Sequence, residues 1–189
     1  MKVLLTGYTG QLGKALIYSK PKNIGLICPS RKELDLADFD SCFNIVIKNK
    51  PDWIINAGAF TNVDQAEINR ELTLAVNSNC LVAFCKALKI TGGKLMQIST
   101  DYVFDGQKAG PYEEDDETNP ISAYGRSKLL GETLIKEHAH KFYIMRVQWI
   151  FGPAKVNFID TMLKLAENRS ELNVVNDQIG SLTSTTSIS

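Results

Sequence analysis

The sequence predicts a doubly wound α/β domain built on a parallel sheet, and three features carry that expectation. Short β-rich runs alternate with amphipathic stretches along the whole chain. The β-rich runs are almost continuously apolar, as strands are when helices cover both faces of their sheet. The first run leads straight into a glycine-rich turn that opens a helical stretch.

Taken in order, the strand candidates are "KVLLT", "IGLIC", "DWIINAG", "KLMQIST", "FYIMRV" and "LNVV". Between them stand the helix candidates "QLGKALIYS", "FDSCFNIVIKN", "ELTLAVNSNCLVAFCKALK", "SAYGRSKLLGETLIKE" and "NFIDTMLKLAEN". The clearest helix spans 71–90, where Leu72, Ala75, Val76, Asn79 and Ala83 recur at helical spacing and "TGG" closes the pattern. The segment "DGQKAGPYEEDDETN" from Asp105 to Asn119 is rich in glycine and acids, cannot build a core, and reads as a long surface loop placed to act as a lid.

Bulk composition narrows the function classes. With 189 residues, 44% of them hydrophobic, the chain can bury one substantial core. Lys plus Arg equal Asp plus Glu at 21 each, so no global charge draws it to nucleic acid. The apolar run at the N-terminus is interrupted too early by Thr6 and Gly7 for a signal peptide or membrane helix. Cys28, Cys42, Cys80 and Cys85 show neither CxxC spacing nor nearby His pairs, which fits reduced thiols in a cytoplasmic protein better than zinc or disulfides. No metal site is expected.

Chemistry enters at the glycine turn. In "LLTGYTGQLGKAL", Gly7, Gly10 and Gly13 lie three residues apart between a strand and a helix. A dinucleotide pyrophosphate needs such a tight turn, a close backbone approach and the free N–H groups of a helix N-terminus. After the second strand the sequence reads "PSRKELDL", with no acid at the strand end to hold an adenosine ribose. Arg31 and Lys32 could instead neutralise a 2′-phosphate, so NADP(H) is favoured, while Ser30 could serve NAD(H) as well.

"SAYGRSKLLGE" sets Tyr124 and Lys128 four residues apart, on one helical face. Hydride reduction of a ketone needs a proton for the developing alkoxide, which a tyrosine supplies, and a neighbouring ammonium is expected to lower the tyrosine pKa. Ser99 and Thr100 end the fourth strand at the carboxyl edge where ligands bind in such sheets. Strand alternation sends the two hydroxyls to opposite faces.

These motifs resemble the dTDP-4-dehydrorhamnose reductase family, in the extended branch of the short-chain dehydrogenase/reductases. The similarity rests on "TGYTGQLG", "PDWIINAGAFTNVDQAE", "VNSNC", "ISTDYVFDG", "PYEEDDETNPISAYGRSKLLGE", "MRVQWIFG" and "NFIDTMLKLAENRSELNVVNDQIGS". It implies a Rossmann fold and reduction of a dTDP-4-keto-6-deoxy sugar, with Thr100, Tyr124 and Lys128 as catalytic residues. It further implies a cofactor cleft formed by Gly7, Thr9, Gly10, Gln11, Leu12, Gly13, Ser30, Arg31, Asp35, Leu36, Asn56, Ala57, Ala59 and Thr61, together with Tyr124 and Lys128. The nucleotide-sugar would meet Val63, Thr100, Asp101, Tyr102 and Trp149. Members of that family continue beyond the equivalent of Ser189, so most of the smaller substrate domain is expected to lie outside this sequence. Residues 1–176 are then the dinucleotide-binding domain, and 177–189, rich in Ser and Thr, the disordered start of the second. The family's Mg2+-linked dimerisation has no assignable ligands here, which leaves a homodimer open. A non-catalytic NADP-binding subunit, like the reductase-like partner of methionine adenosyltransferase, is the alternative, and an epimerase or dehydratase of the extended branch is a third reading.

Overall fold

The computed structural model describes residues 1–154 and 157–189. Strand β1 (Lys2–Thr6) runs into helix α1 (Gln11–Ser19), and β2 (Gly25–Ile27) is followed by α2 (Phe39–Asn49). Strand β3 (Trp53–Asn56) leads to α3 (Val63–Ile68), α4 (Arg70–Leu74), a π-helical turn (Ala75–Asn79) and α5 (Cys80–Thr91). Then come β4 (Lys94–Thr100), α6 (Ala123–His138), β5 (Phe142–Val147), β6 (Ile150–Phe151), α7 (Phe158–Ala166) and β7 (Thr183–Ser184).

Five strands form one sheet in the order β2-β1-β3-β4-β5, every pair parallel. The order reverses at β1, so β1 and β3 carry their C-terminal ends to a switch point, where open α/β sheets leave a crevice for ligands. Apolar strand and helix faces make the core: Leu4, Ile54 and Leu95 from the sheet meet Val46 of α2 and Leu81, Phe84 and Leu88 of α5. Local chemistry sets the helix ends. Asp38 caps α2 through Asp40 and Ser41, Ser122 caps α6 through Gly125, and Gly92, with φ +87°, closes α5.

Three expectations need correction. The run "LNVV" at 172–175 is no strand: those residues are irregular, Val174 and Val175 face solvent, and the five-stranded sheet ends at β5. A short apolar run lacks a partner edge there. The 71–90 helix is not uniform, because the π turn at Ala75–Asn79 shifts its register. Leu72 is consequently exposed, whereas the polar Asn77 and Ser78 are buried. The tail expected to be disordered is tied down at 183–185, where β7 pairs in parallel with β6 and Thr185 is fully buried.

Candidate active site

The glycine turn is a packed object. Gly7 has φ +66°, and a Cβ there would lie 2.5 Å from the Gly58 nitrogen. A Cβ on Gly13 would lie 2.3 Å from the Gly7 carbonyl, so both glycines are required by the protein's own backbone. Gly10 differs: its Cβ would meet only the Gly7 oxygen, at 3.2 Å. As N-cap of α1 it provides no side-chain cap, and the first turn of the helix keeps its N–H groups for another acceptor. Below the turn, Thr6 Oγ1 donates to Asn56 Oδ1 (2.5 Å) and accepts from Gly58 N (3.0 Å), while Asn56 Nδ2 donates to Gln97 Oε1 (2.7 Å). The Asn56 carboxamide is thus engaged across the sheet.

Around the turn, Thr9 is exposed, Gln11 is half-buried, and Leu12 is buried. Ala57 and Ala59 are half-buried after β3, and Thr61 is exposed. At the end of β2 the structure revises the charge pattern. Glu33 folds back to accept from Ser30 N (2.8 Å) and Ser30 Oγ (2.7 Å), bonds that hold its carboxyl below the usual carboxylate range. An acid therefore does stand at the β2 end, although none is adjacent to it in sequence. Arg31 is exposed, Asp35 accepts from Ala37 N in a local turn, and Leu36 packs on the core beside Gly58.

At the end of β4 the two hydroxyls do part. Ser99 Oγ donates to the buried Glu132 of α6 (2.5 Å), whereas Thr100 Oγ1 donates to Asp101 (3.0 Å), accepts from Tyr102 N (3.2 Å), and lies close enough to the Tyr124 side chain to hold its pKa down. Tyr124 is buried with Ala66, Ala123, Phe60 and Val63, and Tyr102 meets it edge-on with ring centroids 5.6 Å apart. Thr100, Asp101, Tyr102 and Val63 therefore gather around the Tyr124 ring at the end of β4. Trp149 follows β5, whose Val147 pairs with Thr100, and it is 39% exposed with φ +44°, a strained backbone for so bulky a residue.

The tyrosine–lysine pair departs from expectation. Burial pushes Tyr124 up to about 12, the nearby Thr100 hydroxyl opposes this only in part, and the Lys128 ammonium does not bring it down. The Lys128 ammonium donates instead to the Ile98 carbonyl (2.7 Å), and burial lowers it to about 8. Tyr124 is consequently held as a proton donor at neutral pH. Burial also raises Asp101 above the ordinary aspartate value.

Sequence reasoning missed several side chains that hold α6. Asn77, on the π turn, accepts from Phe60 N (2.8 Å) and donates to Ser127 Oγ (2.9 Å), and Ser78 Oγ donates to the Ser127 carbonyl (2.7 Å). Gly125 and Gly131 let the helix approach the carbonyls of Tyr102 and Asn77, where a Cβ would lie 2.2 and 2.6 Å away. Among the described residues no group of three or more His, Cys, Asp or Glu could hold a metal, and no helix is long and apolar enough to cross a membrane.

The parallel sheet, its switch point and its glycine turn define a Rossmann-type α/β protein. Within that class the chain belongs to the RmlD substrate binding domain family, whose model matches residues 1–189. It is 42% identical over 184 residues to a dTDP-4-dehydrorhamnose reductase of Burkholderia thailandensis, covering 97% of this chain and 61% of that protein. It is 44% identical over 187 residues to the spore coat polysaccharide biosynthesis protein SpsK of Bacillus subtilis, covering 97% of this chain and 65% of the relative. The crystal structure of a Bacillus anthracis dTDP-4-dehydrorhamnose reductase in complex with NADP superposes with a TM-score of 0.94 at 38% identity, over 99% of this chain and 67% of that one. The chain thus spans less than two thirds of the length of those two sequence relatives.

Proposed function

We propose that this chain is the cofactor-binding and proton-donating part of an NAD(P)H-dependent reductase acting on dTDP-4-dehydrorhamnose. Hydride passes from the nicotinamide to the C4 carbonyl carbon, the Tyr124 hydroxyl delivers its proton to the carbonyl oxygen, and dTDP-rhamnose and oxidised cofactor leave. The observation that carries this reading is the meeting of Thr100 with a buried, protonated Tyr124 at the carboxyl edge of β4, on the sheet whose first strand ends in the glycine turn. The pyrophosphate fits over Gly10 and the open first turn of α1. Thr100 holds the carbonyl, Lys128 lies one helical turn from Tyr124 with its ammonium on the Ile98 carbonyl and would reach the cofactor ribose from there, and Val63, Asp101, Tyr102 and Trp149 face the nucleotide-sugar. The named relatives do not favour the non-catalytic subunit.

Tyr124→Phe tests the chemistry. Loss of a proton donor typically costs about 100-fold or more in kcat, with NADPH affinity kept. A variant that consumes NADPH with the keto-sugar as fast as the parent overturns the role. NADP(H) is the cofactor that Arg31 and Lys32 and the Bacillus anthracis relative support. Glu33, folded onto Ser30, narrows that preference by repelling a 2′-phosphate. Glu33→Gln should strengthen NADPH binding relative to NADH severalfold, since it removes a like charge from beside the 2′-phosphate, and the gain should shrink as salt is added. An unchanged ratio in parallel titrations would place the ribose elsewhere.

A further inference from the structure

Glu132 is 1% exposed, yet it belongs to no step of the proposed reaction. It lies on α6, one helical turn beyond Lys128 and two beyond Tyr124. Its Oε1 accepts from Ser99 Oγ of β4 (2.5 Å) and from Arg146 Nε of β5 (3.1 Å), and its Oε2 accepts from Arg146 Nη2 (2.7 Å). Ser99 and Arg146 are directly paired across the β4–β5 ladder, so two neighbouring strands grip one carboxylate on the helix above them. The arginine reaches further. Its Nη1 donates to the Glu114 carbonyl in the acidic segment (3.2 Å), and its guanidinium sits 5.0 Å from the centre of the Phe104 ring. Phe104 stacks on Tyr112 at 4.1 Å, and Tyr112 and Asn119 both donate to Asp105 (2.9 and 3.0 Å), which folds the 105–119 segment into one piece.

We propose that Glu132 and Arg146 are positioning residues that set α6 against the end of β4 and register the acidic 105–119 segment on the same support. One pair of side chains thereby aligns Tyr124 with Thr100 and seats the segment that leads into the helix. A buried ion pair is weak evidence for stability, since apolar replacements of similar volume often fold as well, and this leaves alignment as the reason to hold one here. The bidentate fork fixes orientation, which a lysine in place of Arg146 could not do.

The proposal rests on the catalytic reading of Tyr124 and Thr100, and its test includes a readout that needs no turnover. The double variant Glu132→Leu with Arg146→Met removes both charges. We expect it to keep its melting temperature and NADPH affinity, to be cut by endoproteinase Glu-C within 105–119 at least tenfold faster than the parent, and to lose at least tenfold in kcat. A double variant that melts, resists cleavage and turns over like the parent overturns the proposal. Ser99→Ala, which deletes one bond and no charge, covers the case in which the double variant does not fold. It should lower kcat several-fold while melting and KM for NADPH stay put, and an unchanged kcat overturns the proposal. Were the parent itself too slow for kcat to be read, faster cleavage of the folded Arg146→Lys variant would support the loop registration and parent-like cleavage would refute it.

Discussion

Helices α5 and α7 are both capped amphipathic helices with apolar faces, but α5 buries seven residues and α7 none. Helix α5 lies on the sheet and against α2, and its Phe84, Leu81 and Cys85 are sealed in the core. Helix α7 follows the sheet's last strand and depends on its own sequence: Asn157 and Asp160 form a capping box, while Phe158 and Leu163 stand 60% and 62% exposed. The stretch from 148 onward meets the first helix of the sheet domain through Gln11 Nε2, which donates to the Ile150 carbonyl (3.3 Å), and Lys14 Nζ, which donates to the Ala154 carbonyl (3.2 Å). The contrast shows that sequence signals make a helix, whereas a neighbouring sheet makes it part of a core. Most helical stability in proteins comes from such packing.

The largest effect expected from this contrast lies in α5. Phe84 is fully buried, and Phe84→Ala removes a ring from a close-packed site, at a cost of about 3–5 kcal/mol. Urea unfolding of the two proteins measures it. A loss under about 1 kcal/mol would mean that the core is loosely packed and the distinction from α7 is one of degree.

The next effect concerns a charge inside the sheet region. Lys128 is lowered from 10.5 to about 8, so between those pH values the folded chain has shed a proton that the unfolded chain still holds. Stability therefore rises with pH across that window, and the full penalty applies below it, on the order of 3 kcal/mol. Burial raises Cys42, Cys85 and Tyr124, which lose stability as pH climbs through the same range or above it. The Lys128 contribution is accordingly read as a difference. Unfolding midpoints from pH 7 to 10 should rise more steeply for the parent than for Lys128→Met, and parallel curves would mean that the ammonium is not buried in solution.

How much of this was legible beforehand follows the same division. Apolar runs gave away all five strands of the large sheet because both of its faces are covered, and the glycine turn and the Tyr124–Lys128 spacing are local patterns. The run at 172–175 has equal hydrophobicity but no edge to join, so composition misled there. Helix α3 was missed because "VDQAEI" is short and mostly polar, with Ala66 alone buried. Glu33 and Glu132 both look like surface charges in sequence; only the fold turns one back onto Ser30 and buries the other beneath Arg146. The Lys128 bond to Ile98 was equally invisible, since a backbone carbonyl leaves no residue signature. Long-range polar partners are set by topology.

The smallest effect is expected where burial is least. Leu163 on α7 is 62% exposed, so Leu163→Ala removes apolar surface that is already largely in water and, away from packed features, should change stability by no more than about 0.5 kcal/mol. Alanine is also the better helix former, which offsets part of any loss. Comparison of unfolding midpoints at two protein concentrations gives the check. A concentration-independent shift within that bound keeps α7 as a locally stabilised helix. A loss of 1.5 kcal/mol or more that grows with protein concentration would show that a second copy covers its apolar face, and α7 would then belong to a core after all, one built between chains.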